Sequence, residues 1–303
     1  MSALVTDTAM VMAAGLGKRM RPLTVTTPKP LVRVAGKPLI DHALDRLVEA
    51  GIGRAVVNVH YLADALEAHV LERTKPAISI SDERDALLET GGGLIKAQDL
   101  LPDPFFCLNA DNIWLDGPQN AFADLSARWD PELMDALLLL VPHERAANFN
   151  GKGDFHMDAC GRITRRKSGR IAPFIYTGIQ LVSKRLLREA PEGKFSTNIL
   201  WSRAIEEGRL YGLSFTGQWF EVGTRGASRL FHRGAPRLCG RAGGGPGAAL
   251  FDARSGPGAP DPAGAQHARR AHDFRSFHPA DRGDRAGRNA VAAHGHGGRS
   301  RLG

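Results

Sequence analysis

Residues 9–40, AMVMAAGLGKRMRPLTVTTPKPLVRVAGKPLI, restrict the fold more than any other stretch of the chain. The apolar run at 9–14 is strand length and too short for a helix. It breaks at once into Gly15-Leu16-Gly17-Lys18-Arg19, with two glycines and two cations, and a second turn follows at Thr27-Pro28-Lys29-Pro30. Leu39, Ile40, Ala43, Leu44, Leu47 and Val48 then recur at helical spacing, with Gly51 as the stop. Strand, glycine loop and helix open an α/β domain. A cationic, glycine-rich loop after such a strand is a phosphate cradle in outline. Glycine lets backbone N–H groups approach phosphate oxygens, and the cations offset their charge. The loop is therefore expected to bind a nucleoside triphosphate.

The chain that follows keeps this rhythm. Strands are predicted at 55–60, 77–81 and 105–109, with a helix at 62–70 between the first two. The order β-α-β-α-β predicts a parallel sheet covered by helices. Leu88-Glu89-Thr90-Gly91-Gly92-Gly93 precedes a helical run to Leu101. Three successive glycines are costly inside a helix, so they are expected before it, at a tight turn or a close backbone approach. Asp111 follows the strand at 105–109, at the end where open α/β sheets bind ligands. Further strands are predicted at 136–141, 174–181 and 210–215, and helices at 183–190 and 196–207. The organised part closes at Trp219-Phe220-Glu221-Val222-Gly223-Thr224. This makes about eight strands and six helices before residue 226.

Charge divides the chain unevenly. Residues 227–303 hold 13 Arg, 5 Asp and neither Lys nor Glu, which accounts for the whole formal charge of +8. The preceding 226 residues balance at 27 basic and 27 acidic, so the main domain carries no nucleic-acid signature. The terminal segment is rich in Gly, Ala, Arg and Pro and has no Ile or Thr. It cannot bury enough apolar surface to offset its ordering entropy and is expected to be disordered. Those four residues are the ones whose codons begin with two G or C bases. The composition therefore points to a shifted frame in a GC-rich gene, which resequencing across the codons for 222–232 would test; a basic arm is the alternative. Cys107, Cys160 and Cys239 show no C-x-x-C spacing, which argues against disulfides and zinc. No apolar run approaches 18 residues. A cytoplasmic protein without membrane or nucleic-acid partners, monomeric or weakly homo-oligomeric, is expected.

The opening loop is not a Walker loop, because Arg19 follows Gly17-Lys18. Nor is it a dinucleotide fingerprint, because Met20 stands where the third glycine belongs. Residues 12–40 instead resemble the signature of the sugar-phosphate nucleotidyltransferases: an apolar strand, A-A-G-x-G-x-R-[ML]-x-P-L-T, then P-K-P. The resemblance continues through LETGGG at 88–93, NADNIW at 109–114, GKGDF at 151–155, YTGIQ at 176–180 and WFEVGT at 219–224. It is nearest to the short branch that acts on N-acetylmuramate 1-phosphate or mannose 1-phosphate and lacks a C-terminal β-helix. It implies a Rossmann-like fold with a central mixed, mostly parallel sheet flanked by helices. Residues 1–112 would be the nucleotide half and 113–226 the sugar half.

The reaction so implied is attack of a sugar 1-phosphate oxygen on the α-phosphorus of a nucleoside triphosphate, with loss of pyrophosphate. By resemblance, Arg19 would hold the triphosphate and Lys29 would bridge the α-phosphate and the sugar phosphate. Asp111 would hold Mg2+, joined by Glu221, where the family usually has Asp. Ala13, Ala14, Gly15 and Gly17 would seat the nucleotide, and Glu89 and Gly92 would meet the base. Asn109, Gly153, Asp154, Thr177 and Asn198 would line the sugar side. Lys167 reads as surface beside Arg165, Arg166 and Arg170. UTP with N-acetylmuramic acid 1-phosphate is the leading substrate pair. GTP with mannose 1-phosphate, uridylyl or thymidylyl transfer to glucose 1-phosphate, and a non-catalytic sugar-nucleotide-binding protein stay open.

Overall fold

Along the first strand, β1 (Thr8–Met12), side chains alternate between two apolar layers: Ala9 and Val11 enter one, Met10 the other. The elements that follow are β2 (Arg33–Val34), β3 (Lys37–Pro38), α1 (Leu39–Glu49), β4 (Arg54–Val59), α2 (Ala63–Leu71), β5 (Ala77–Asp82), α3 (Glu89–Ala97), β6 (Phe105–Asn109) and β7 (Ile113–Leu115). Then come α4 (Ala121–Arg128), β8 (Ala136–Pro142), β9 (Ala146–Ala147), β10 (Phe155–Met157), β11 (Ile163–Arg165), β12 (Phe174–Val182), α5 (Asn198–Glu206), β13 (Leu210–Ser214) and β14 (Gln218–Phe220). This computed structural model describes residues 3–147 and 149–223. Thr224, the segment 227–303 with its expected disorder, and Cys239 lie outside the described residues.

Nine strands form one sheet, ordered β11-β10-β12-β6-β1-β4-β5, with β8 on β12 and β13 on β8. The run β6-β1-β4-β5 is parallel. β12 is antiparallel to β6 and β8, so one continuous mixed sheet spans both halves of the described chain. On one face α1, α2 and α4 contribute Leu44, Leu47, Leu66, Val70, Phe122 and Leu125 to the first layer. On the other, α3 and α5 contribute Leu94, Ala97, Leu200, Trp201 and Ala204 to the second. A sheet covered on both faces needs apolar residues at every strand position, which is why β8 reads Ala-Leu-Leu-Leu-Leu-Val without alternation.

From β1 the chain builds outward through β4 to β5, then returns to place β6 on the opposite side of β1. The strand order therefore reverses between β1 and β6, and ligands in open α/β sheets bind beyond the strand ends at such a point. A third, smaller apolar cluster lies next to it. Met20, Val32, Val34 and Leu39 of the opening stretch pack with Ile113, Phe220 and Val222. This packing ties the loop after β1 to β7 and β14, which come late in the chain.

Two expectations about local structure are corrected. The stretch 183–190 forms only the 3-10 turn Lys184–Leu187. Gly91, Gly92 and Gly93 lie inside α3, not ahead of it. A glycine costs a helix about 1 kcal/mol relative to alanine, and here contact requires it. A Cβ on Gly91 would run into the Phe195 ring, and one on Gly92 into the Gly193 carbonyl. One on Gly93 would lie 2.8 Å from Glu83 Oε1. The bare helix surface lets the Phe195 carbonyl accept from the N–H groups of Gly91 (2.9 Å) and Gly92 (3.2 Å), two donors of the first turn.

Candidate active site

The site grows from the point where β1 stops. Met12 pairs with Asn109 in the sheet, and Ala110 N–H donates to the Met12 carbonyl at 3.0 Å. Ala13 and Ala14 then leave the ladder. Their N–H groups donate to Asn58 Oδ1 at 2.6 and 3.3 Å. Asn58, buried at the end of β4, donates in turn from Nδ2 to Glu83 Oε1 at 2.7 Å. The other oxygen of this buried carboxylate, Oε2, accepts from Leu88 N–H at 3.2 Å, just ahead of α3. One side-chain chain thus joins the β1 loop, β4 and the start of α3. Asn58 carries no family signature, but it is the single polar residue in the run Ala-Val-Val-Asn-Val, and that break in an apolar strand marks it.

Beyond Ala14 the backbone opens. A Cβ on Gly15 would meet nothing within 4 Å, so the space it keeps clear faces solvent and the cleft. Gly17 adopts φ +61°, where a side chain would be strained, and starts the 3-10 turn Lys18–Met20. Met20 is pulled into the third apolar cluster while Arg19 stays exposed. A second 3-10 turn, Lys29–Leu31, is entered through Pro28 with Pro30 at its second position. It aims Lys29 inward, and its ammonium makes a direct ion pair with Asp111 Oδ2. Asp111 stands two residues past the end of β6.

The result is a cleft of about 400 Å³. Met12, Ala13, Ala14, Gly15, Arg19, Lys29, Asn109 and Asp111 line it on the β1–β6 side. Asn58, Leu87, Glu89, Thr90 and Ser196 complete the wall. Glu89 holds φ +60° at the first position of α3 and pairs with Lys194 at 3.4 Å. A non-glycine residue held in that region at a cleft is the kind of local strain that clusters at ligand sites. Glu221 follows β14 and its Oε1 lies 3.9 Å from Arg19 Nη1. Gly223 closes the group. A Cβ there would lie 3.1 Å from Asp111 Oδ2, 3.3 Å from Lys29 Nζ and 3.6 Å from Arg19 Nη2.

Of the residues singled out in the sequence, Ala13, Ala14, Gly15, Arg19, Lys29, Glu89, Asn109 and Asp111 line the cleft, and Glu221 stands at its Arg19 edge. Others do not line it. Gly17 shapes the turn, its carbonyl accepting from Thr24 Oγ1 at 2.8 Å. Gly92 packs on Gly193. Thr177 is buried, its hydroxyl donating to the Leu139 carbonyl at 2.8 Å. Gly153 is buried with φ +73°, and its carbonyl accepts from Arg166 Nε. Asp154 Oδ2 accepts from Tyr176 N–H at 3.0 Å, and Asn198 Oδ1 from Arg165 Nη1 at 3.0 Å. Leu87 and Ser196 gave no signal in the sequence, and Thr90 only its place within LETGGG, because their position depends on how α3 and α5 meet.

Among the described residues no three His, Cys, Asp or Glu side chains converge as a metal cage. Asp111 and Glu221 are the two carboxylates beside the Arg19–Lys29–Gly223 group. Magnesium often takes only one or two protein carboxylates and fills its remaining positions with water and substrate phosphate oxygens. A two-carboxylate set next to two cations fits that pattern.

Comparison with known proteins bears on the family and the fold. Residues 8–165 match the sequence profile of the family described as Nucleotidyl transferase. N-acetylmuramate alpha-1-phosphate uridylyltransferase of Caulobacter vibrioides is 46% identical over 220 residues, covering 71% of this chain and 91% of that protein. Its namesake from Neisseria meningitidis is 35% identical over 226 residues, covering 71% and 93%. The catalytic subunit beta of mannose-1-phosphate guanylyltransferase from Danio rerio is 31% identical over 225 residues, covering 71% and 61%. In fold, the chain is similar to a UDP-glucose pyrophosphorylase complexed with UDP-glucose. The TM-score is 0.62 at 14% identity, covering 77% of this chain and 100% of that one. It is likewise similar to the inositol-1-phosphate CTP transferase from T. maritima, with TM-score 0.62 at 17% identity and coverage of 75% and 94%. By profile and sequence, this chain belongs to the nucleotidyl transferase family.

Proposed function

We propose that the protein transfers a uridylyl group from UTP to N-acetylmuramate 1-phosphate, giving the UDP-sugar and pyrophosphate. The observation that carries the reaction class is the meeting of Arg19, Lys29 and Asp111 at the β1–β6 switch point, where the strand ends leave an open cleft. The choice of substrates rests on the 46% identity to the Caulobacter uridylyltransferase along nearly its whole length.

In this reading the sugar phosphate oxygen attacks the α-phosphorus, a new P–O bond forms, and the bond from that phosphorus to the bridging oxygen breaks in line. Two anions must approach each other, so fixed positive charge supplies much of the catalysis. Arg19, exposed on the 3-10 turn after Gly17, holds the outgoing phosphates. Gly15 leaves room for the triphosphate to lie against the backbone. Lys29 sits deeper, its ammonium restrained by Asp111, and meets the phosphate oxygens where charge accumulates. Its ion pair keeps it aimed into the cleft before substrate arrives. Asp111 and Glu221 are the residues that would hold Mg2+, which when bound supplies charge neutralisation for the phosphates. The Asn58–Glu83 chain fixes the loop relative to α3, so that the nucleotide's two walls keep their spacing.

The test is release of pyrophosphate with Mg2+ and a panel of triphosphates and sugar 1-phosphates. We expect UTP with N-acetylmuramate 1-phosphate to be turned over fastest. Faster turnover of GTP with mannose 1-phosphate would move the protein to the guanylyltransferase side of the family. Nucleotide binding without turnover of any pair would leave a binding protein and refute the proposal.

A further inference from the structure

The loop that carries Arg19 is gripped at two points from the C-terminal end of β4. Asn58 holds its first residues through the N–H groups of Ala13 and Ala14. Tyr61, three residues further on, holds its far side. The partly buried Tyr61 hydroxyl lies 3.0 Å from the Thr24 carbonyl and 3.1 Å from the Val25 carbonyl, and shares its one proton between them. Leu62, at φ +49°, then turns the chain into α2. Thr24 passes this restraint inward. It is buried, while Arg21, Pro22, Leu23, Val25 and Thr26 around it are exposed. Its hydroxyl donates to the Gly17 carbonyl at 2.8 Å. The same carbonyl accepts from Met20 N–H at 2.9 Å and so closes the turn Lys18–Met20, on which Arg19 sits.

Both cations of the cleft depend on the point where Thr24 lands. A Cβ on Gly17 would lie 2.9 Å from Thr24 Cγ2 and 3.0 Å from Lys29 Cβ, so the turns of Arg19 and Lys29 meet on this glycine with Thr24 beside them. Lys29 has a further restraint in its ion pair with Asp111. Arg19 has a weaker one. Its contact with Glu221 is long at 3.9 Å, and its side chain is 69% exposed, so its place is set by the backbone of its turn. Met20 anchors the end of that turn in the third apolar cluster. The return leg has no such anchor, because Leu23 and Val25 face solvent. A surface stretch with little apolar burial opens easily, and the hydrogen bonds that remain decide how often. A guanidinium ordered before the triphosphate arrives spares the entropy that ordering it on binding would cost.

We propose that Tyr61 is a positioning residue for triphosphate binding: its hydroxyl latches the return leg of the loop to β4 and, through Thr24 and Gly17, holds Arg19 over the cleft. This rests on the transferase reading above. The experiment measures binding of UTP with Mg2+ by titration calorimetry in the full chain, for wild type, Tyr61→Phe, Arg19→Ala and the double variant. Tyr61→Phe keeps the ring and removes only the hydroxyl. It should weaken UTP binding roughly 2- to 10-fold, the range for one lost hydrogen bond. In the Arg19→Ala background the same change should cost a smaller factor, because the residue it positions is gone. In steady state the KM for UTP should rise by a like factor while the KM for the sugar 1-phosphate holds. An unchanged Kd in Tyr61→Phe, an equal factor in both backgrounds, or an equal rise in both KM values overturns the latch. A wild type that binds UTP but turns over no sugar 1-phosphate overturns the transferase reading alone, and one that binds no triphosphate overturns both.

Discussion

Replacing Asn58 with Leu tests whether a single buried amide holds the nucleotide loop. Leu keeps the branched heavy-atom skeleton but is bulkier, so the change removes every hydrogen bond and adds some overpacking. It strips partners from Ala13 N–H, Ala14 N–H and Glu83 Oε1. Each buried group left unpaired costs about 1–3 kcal/mol, so three independent groups would cost about 3–9. The lower end applies, because Ala13 and Ala14 line the cleft, where water can reach them, and the Ala14 bond is long at 3.3 Å. We expect a loss of about 3 kcal/mol, read in urea as a lower midpoint at unchanged slope. The KM for the triphosphate should rise as well, since the loop and α3 are no longer tied. Asn58→Asp sharpens the test. It keeps the Oδ1 acceptor for both N–H groups but sets a carboxylate against Glu83. The pair would share a proton, raising the folded pKa above the unfolded value. Stability from such a group is complete below the unfolded pKa and is lost as pH rises through the folded one. The deficit of this variant should therefore grow from acid to neutral pH. A loss below about 1 kcal/mol in Asn58→Leu, with unchanged KM, would refute the reasoning.

Three further expectations follow from the site and its supports. Gly15→Ala places a methyl group where nothing lies within 4 Å and φ is not left-handed, so stability should hold or rise by up to about 1 kcal/mol while triphosphate binding weakens; unchanged binding would remove Gly15 from the phosphate seat. Asp111→Ala should abolish pyrophosphate release, whereas Glu221→Ala should cost much less, since only Asp111 touches Lys29 directly; equal losses would make Glu221 a full partner in the metal site. His42 is half-buried, and its ring N–H donates to the Val34 carbonyl at 2.9 Å; burial holds its pKa below 6.5. Its contribution to stability is present above 6.5 and is lost as pH falls toward the folded value, because the unfolded chain takes up the proton first. His42→Gln should flatten that slope in denaturation measured across the range, and an unchanged slope would assign it elsewhere.

The sequence by itself determined the layered α/β architecture, because hydrophobic periodicity is local. The apolar runs at 55–60, 105–109 and 136–141 became β4, β6 and β8, and the amphipathic stretch after Lys37 became α1. The cleft's first wall was legible too, since the loop holding Gly15, Arg19 and Lys29 is continuous in the chain. Packing across long separations decided the rest. The three glycines look like a helix breaker until Phe195, Gly193 and Glu83 are seen to crowd Gly91, Gly92 and Gly93 in turn. Thr177 is expected on the sugar side by resemblance, but burial turns its hydroxyl to a strand carbonyl. Asn58 meets Glu83 only because β4 and β5 lie side by side. Glu221 reaches Arg19 because the third apolar cluster draws β14 against the opening loop. Propensity and pattern act over a few residues and so fix the elements. Which side chains share a cleft depends on how a mixed sheet orders its strands, and that is settled by the balance of all its packing at once.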